Sequence, residues 1–303
     1  MHISVIIPTY NRAKLLDKLL DNLFQQSLPS NVSWEIIVVD NNSSDNTEKI
    51  ALQKKFLSPV PLIYVKEKKQ GSSYARNRGV KIARGEIIAF IDDDVILDKY
   101  WLESIWQAFR KVKANAFGGK VIPMLPPTIP KWVVRSGPFR NTGLVLVDHD
   151  FGDEISEYGY PPYYAPVGAN FFLKKIIFKK YSLFREDLGV KGKTFLAGED
   201  SEFFLRLMRQ GEKVCYYPYA IVYHPVDSKR LTKRFFLKRY FGAGRSAALI
   251  NPSSLKYTLR NIIINVTYIL WYALKFDVIT SFHFILRISY HLGTVYQYFL
   301  NKI

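Results

Sequence analysis

The chain has 303 residues, 48% of them hydrophobic, 15% aromatic and 23% charged, which allows one sizeable core plus an appendage and excludes general disorder. Its single cysteine, Cys215, excludes an internal disulfide, and the neighbours Val214, Tyr216 and Tyr217 read as a strand holding an inert buried thiol. The net charge of +17 suits anionic partners, lipid or nucleic acid.

Residues 3–8 (ISVIIP) form a β-branched apolar run that reads as a buried strand, so no signal peptide is expected ahead of the fold. A polar turn, Thr9-Tyr10-Asn11, leads to a helical pattern through Leu15, Leu16, Leu19, Leu20, Leu23 and Phe24. The alternation repeats with a strand over 35–40, a helix opened by Ser44-Asp45-Asn46-Thr47, and a strand over 62–65. A helix over 72–83 and a strand over 86–91 follow. Continuous apolar strands alternating with amphipathic helices predict a mostly parallel α/β sheet covered on both faces. Ligands of such sheets sit at the carboxyl ends of the strands. Thr9-Tyr10-Asn11, Asp40-Asn41-Asn42 and Asp92-Asp93-Asp94 all fall at such ends, along one rim.

Past Gly118 the alternation breaks. Residues 123–166 are rich in proline, glycine and aromatics, including Tyr160-Pro161-Pro162-Tyr163-Tyr164, and read as an acceptor-side loop or an insertion. A helix over 199–210 and a strand over 213–217 close the core.

Three adjacent carboxylates after the strand ending at Ile91 repel one another. A divalent cation, Mg²⁺ or Mn²⁺, resolves that repulsion and would also neutralise a diphosphate; the competing reading is a solvated acidic turn. Asp40 can accept hydrogen bonds from a base or ribose, whereas Asp45 reads as a helix cap. Gly71 to Gly79 opens a helix whose first N–H groups, with Arg76, can meet negative charge. Gly198-Glu199-Asp200-Ser201-Glu202 opens another. Its acids suit the helix dipole, and Asp200 is the candidate general base. His224 ends the last core strand as a candidate metal or phosphate contact, or as a structural histidine.

Taken in order, residues 5–12 (VIIPTYNR), 38–43 (VVDNNS), 71–79 with Ala75-Arg76-Asn77, 91–94 (IDDD), 168–170 (GAN) and 198–200 (GED) resemble the family 2 inverting glycosyltransferases of the GT-A fold, over roughly residues 1–225. The resemblance implies a GT-A domain over 1–225; the change of composition after it marks a basic, aromatic-rich helical region over 226–303. The resemblance also implies a nucleotide-sugar donor, a uridine diphosphate sugar in particular, and a site in which Pro8, Thr9, Tyr10, Arg12, Asp40, Arg76, Asp92, Asp93, Gly168, Asn170 and Glu199 bind that donor. By the same resemblance Asp94 would hold Mn²⁺ or Mg²⁺; Asp92 and His224 are further candidate ligands. Asp200 would take the proton from an acceptor hydroxyl that displaces the nucleoside diphosphate with inversion.

A nucleotidyltransferase would need a glycine-rich loop with Lys or Arg after the first strand, and a dinucleotide oxidoreductase a glycine-rich turn there; neither is present. A non-catalytic membrane-surface module that keeps a dead transferase core is the remaining alternative.

From Lys229 onward twelve basic residues face a single acid, Asp277, interleaved with apolar and aromatic residues. That interleaving favours anionic lipid over nucleic acid. The apolar run 262–274 is short for a span, and the segment reads as helices in the headgroup plane at the cytoplasmic face of the cell membrane, peripheral or monotopic. The acceptor would then be a glycan, lipid-linked, in cell-surface polysaccharide assembly.

Overall fold

In the computed structural model, residues 1–159, 165–190 and 195–301 are described. The aromatic tyrosines and prolines at 160–164 lie outside them. By compactness the chain divides into an α/β unit (Met1–Pro123, Asp148–Asp187 and Glu199–Pro225) and a helical unit (Met124–Val147, Leu188–Gly198 and Val226–Ile303).

The α/β unit opens with three βα repeats: β1 (Ile3–Thr9), α1 (Ala13–Phe24), β2 (Trp34–Asp40), α2 (Thr47–Leu57), β3 (Leu62–Lys66) and α3 (Ser72–Ile82). Strand β4 (Ile87–Ile91) follows, then the short β5 (Ile96–Leu97) and helix α4 (Trp101–Lys111). The sequence turns into these elements for simple reasons. Strands β1, β2 and β4 are apolar on both faces because helices cover both. Helix α1 buries Leu16, Leu19, Leu20 and Leu23 at three- and four-residue spacing, and α4 does the same with Trp101, Leu102, Ile105 and Ala108.

Strands β3, β2, β1 and β4 pair in parallel, with Thr9 opposite Asp40. The expected rim therefore exists: these strands all end on the same side. Beyond β4 the sheet continues in a different manner. Strand β8 (Asn170–Lys174) runs antiparallel to β4 and to β6 (Ala116–Met124). The long β9 (Val214–Pro225) pairs antiparallel with β5 and with β7 (Ser156–Glu157). The nine-stranded order is β3-β2-β1-β4-β8-β6-β9-β5, with β7 on β9. The core gathers Phe90, Phe171, Phe178, Phe184, Phe203 and Phe204; Phe90 and Phe171 stack at 4.7 Å between centroids. Two short helices complete the unit, α5 (Ile176–Tyr181) and α6 (Glu199–Arg209).

The helical unit holds α7 (Lys233–Ile250), α8 (Leu255–Leu274) and α9 (Val278–Leu300). Part of the stretch read as an acceptor-side loop belongs to its core. Val133, Val145 and Leu146 are buried with Phe236, Tyr240, Phe282 and Leu286, and Trp132 meets Phe236 and Phe282 edge-on.

Candidate functional site

The carboxyl ends of β1, β2 and β4 bring three polar clusters together. Thr9, buried at the end of β1, donates its hydroxyl to Asp93 Oδ2 at 2.7 Å. Arg12, in the turn that follows, places one Nη1 2.7 Å from Asp93 Oδ1 and 2.8 Å from Asp94 Oδ2. Burial by itself would lower the Arg12 pKa, and the carboxylates of Asp93 and Asp94 more than reverse it. Asp93 is also buried, which pushes its pKa up to about 6, with the Asp94 charge adding to the rise and Arg12 opposing it.

Asp40 is fully buried at the end of β2. Its carboxylate accepts from the backbone N–H of Ser43 at 2.8 Å and from the Tyr64 hydroxyl at 2.7 Å. Tyr64 lies on β3 and carried no motif, so pattern reading missed it. Pro8 and Tyr10 flank Thr9, Pro8 half-buried and Tyr10 exposed.

A second group assembles around Arg76 of α3. Its buried guanidinium bonds Glu199 through Nη1 and reaches Asp92 Oδ1 at 3.4 Å through Nη2. Ser72, at the start of the same helix, donates its hydroxyl to the same oxygen, Glu199 Oε1, at 2.6 Å. Asp200, next to Glu199 at the start of α6, accepts from Gly168 N–H at 2.6 Å and from its neighbour Ser201 N–H at 2.7 Å. Burial first, and then the Glu199 charge, raise the Asp200 carboxyl to about 6. Gly168 leaves room for both groups: a Cβ there would stand 2.7 Å from Arg76 Nη2 and 3.2 Å from Asp200 Oδ2, so a side chain would displace the guanidinium.

Asn170, expected at the donor, lies two residues after Gly168 at the start of β8. It is fully buried, and its Nδ2 donates to the carbonyls of Lys120 (3.0 Å) and Ala220 (2.8 Å) while its Oδ1 accepts from Trp101 Nε1 (3.0 Å). Both of its donors are spent on carbonyls of β6 and β9, so Asn170 fixes the start of β8. Asn170→Asp, which sets a carboxylate against two carbonyl oxygens, is expected to lower unfolding free energy by about 3 kcal/mol or more. Thermal unfolding measures it, and an unchanged Tm would mean that the side chain faces the ligand instead.

For a metal, Asp94 and His224 offer a carboxylate and an imidazole. Asp94 Oδ1 lies 3.5 Å from His224 Nε2, and the buried Nδ1 of His224 has no hydrogen-bond partner. Among the described residues no group of three or more His, Cys, Asp or Glu is arranged to hold an ion. The pair fits a hard divalent cation that takes its other ligands from a diphosphate and water. Arg12 sits on the other Asp94 oxygen and is the cation already at hand.

The model of glycosyl transferase family 2 matches residues 4–179, more than half of the chain. This chain belongs to glycosyl transferase family 2. As a family 2 glycosyltransferase it is similar to the succinoglycan biosynthesis protein ExoM of Rhizobium meliloti (27% identical over 250 residues, covering 81% of this chain and 74% of that one). It is also similar to a glucosyl-dolichyl phosphate glucuronosyltransferase of Haloferax volcanii (22% identical, covering 83% and 78%). Two further relatives are matched over only 39% and 44% of their own length. Among solved structures, the mannosyltransferase PcManGT of Pyrobaculum calidifontis, in complex with GDP-Man and Mn²⁺, superposes with a TM-score of 0.63 at 16% identity, covering 100% of this chain and 88% of that one. At that identity the likeness speaks for the GT-A fold alone.

Proposed function

We propose that this family 2 transferase moves a sugar from a nucleoside diphosphate donor to a hydroxyl of a growing glycan, lipid-linked, by a single inverting displacement in cell-surface polysaccharide assembly. The observation that carries the reading is the pairing of two carboxylate groups through one buried arginine: Arg76 joins Asp92 of the acidic triplet to Glu199, whose neighbour Asp200 is held by Gly168. One group serves the departing diphosphate and the other the incoming hydroxyl.

In this reading Pro8, Thr9, Tyr10 and Asp40 receive the nucleoside, Arg12 and Arg76 face the diphosphate, and Asp92 and Asp93 lie beside ribose and sugar. Asp200 takes the acceptor proton. Inversion needs one base and no protein nucleophile, since the acceptor supplies the attacking oxygen; the inverting glycosidases follow the same logic. Asp94 and His224 would hold Mn²⁺ or Mg²⁺, whose charge offsets that developing on the leaving diphosphate.

The dolichyl phosphate in the name of the Haloferax relative supports a lipid-linked acceptor. Such an acceptor would keep this enzyme at the cytoplasmic face of the cell membrane, and the basic tail would hold it there against anionic lipid. Among the described residues no helix is long and apolar enough to cross a bilayer, so attachment is read as peripheral or monotopic.

Calorimetry of UDP and GDP, each with and without Mn²⁺, tests the donor half. One nucleotide should bind tightly only with metal, and Asp94→Ala should weaken that binding by about a hundredfold, the scale of losing a buried charged ligand. The resemblance favours UDP, while the GDP-Man complex of the structural neighbour makes GDP the necessary comparison. Equal binding with and without metal, unaffected by Asp94→Ala, would sink the metal-dependent reading.

A further inference from the structure

Helix α8 is built inside out. In a helical layer surrounded by water, apolar side chains turn inward and polar ones outward. On α8 the two buried side chains are polar, Thr258 and Asn265, each 1% exposed. Its large apolar side chains face away: Ile263 is 65% exposed, Leu270 61%, Trp271 56% and Leu274 79%. The turn into α9 continues the pattern with Phe276, 91% exposed in a left-handed conformation (φ 56°), and Val278, 66% exposed.

The packing between α7 and α9 has the same character. A Cβ on Gly244 would lie 1.8 Å from the Tyr290 carbonyl oxygen, and one on Gly293 2.0 Å from that of Phe241. The backbones therefore touch. Hydrogen bonds cross the contact: Thr294 Oγ1 donates to the Gly244 carbonyl at 3.1 Å, Ser289 Oγ to that of Leu237 at 2.9 Å, and Arg245 Nε to Gln297 Oε1 at 3.1 Å. Small residues and polar links inside, with bulky apolar residues outside, is how helices pack when the surroundings are hydrocarbon.

Charge selects the occupant of this face. Helix α8 carries Lys256 and Arg260, both exposed, in its first turns and no charged residue from Asn261 to Leu274. Lys275 follows directly, its ammonium 4.4 Å from the centre of the Trp271 ring. The single acid of the region, Asp277, is used as the cap of α9, accepting from Thr280 N–H at 2.9 Å. A second protein copy would bring the same excess of positive charge, whereas an anionic bilayer offers hydrocarbon for the leucines and phosphate for the lysines.

We propose that α8 and the α8–α9 turn insert into one leaflet of an anionic bilayer, so that this transferase is a monotopic membrane protein held by acyl chains and not by headgroups alone. The inference rests on the membrane attachment proposed above and specifies its mode.

The full chain, mixed with vesicles of phosphatidylcholine and phosphatidylglycerol with and without brominated acyl chains, provides the test. Insertion predicts binding that survives high salt, with tryptophan fluorescence quenched by the brominated chains. Trp271→Phe should remove most of that quenching and leave binding intact. Leu270→Glu with Leu274→Glu, both at exposed positions, should weaken vesicle binding about tenfold or more with the circular dichroism unchanged. Release by salt without quenching would overturn insertion and leave headgroup attachment standing. Failure to bind any vesicle would overturn both. Concentration-dependent self-association abolished by the double variant, in place of vesicle binding, would give the face to a second copy and overturn the proposal.

Discussion

Asp200→Asn is expected to lower kcat by about 10²- to 10⁴-fold, the range of a positioned general base, while the affinity for nucleoside diphosphate stays close to wild type. The substitution keeps the shape of the side chain and the amide oxygen can still accept one of the two N–H groups, Gly168 or Ser201, that now hold the carboxylate. What it removes is the capacity to take a proton. The same carboxylate predicts the pH profile. Burial and the adjacent Glu199 raise its pKa to about 6, with Arg76 and the two backbone N–H groups pulling the other way. A base acts deprotonated, so kcat/KM should rise about tenfold per pH unit below that value and level off above it. Steady-state rates against pH decide the matter. A profile flat through pH 6, or an Asn variant with near wild-type turnover, would remove Asp200 from the chemistry.

The parts of this site that were legible in the sequence are those whose signal is local. Strands β1, β2 and β4 announce themselves as largely apolar runs, and each ends in polar residues, so the pattern alone sets Thr9, Asp40 and Asp92–Asp94 on one rim. Glu199 and Asp200 were legible because an acidic pair opening an amphipathic helix is a local pattern. Partners that meet across long stretches of chain were not. Arg12 reads as a basic residue beside a turn, and nothing nearby says that it spans Asp93 and Asp94 some eighty residues on. Asn170 sits in a motif that points toward donor, yet its burial depends on three strands and a tryptophan that only the fold assembles. The antiparallel half of the sheet was hidden for a related reason. Strand β8 is flanked by irregular chain and pairs with β4, whose sequence is remote. Trp132 reads as a loop aromatic until Phe236 and Phe282 arrive to cover it.

Arg76→Met should destabilise the α/β unit by about 3–5 kcal/mol, the usual cost of stripping one partner from a buried ion pair. Arg76 is almost completely buried, and burial alone would depress its pKa; Glu199, Asp92 and Asp200 together raise it. Glu199 is buried as well, and among the described residues the Ser72 hydroxyl is the hydrogen bond it keeps when the guanidinium is gone. Methionine fills the volume without the charge, so the loss reports the orphaned carboxylates and not a cavity. For a domain of this size the change corresponds to roughly 6–20 °C in Tm. Arg76→Lys should recover little, because one ammonium cannot reproduce the two-sided reach from Glu199 to Asp92. Glu199→Gln in the Arg76→Met background should return much of the stability, since it removes the stranded charge, and the non-additivity of the pair measures the coupling. If Arg76→Met instead costs less than about 1 kcal/mol, as solvated surface pairs do, the arginine is not the strut that joins the acidic triplet to α6. Its place at the site would then have to come from contact with a bound diphosphate, which the affinity of the same variant for nucleotide would reveal.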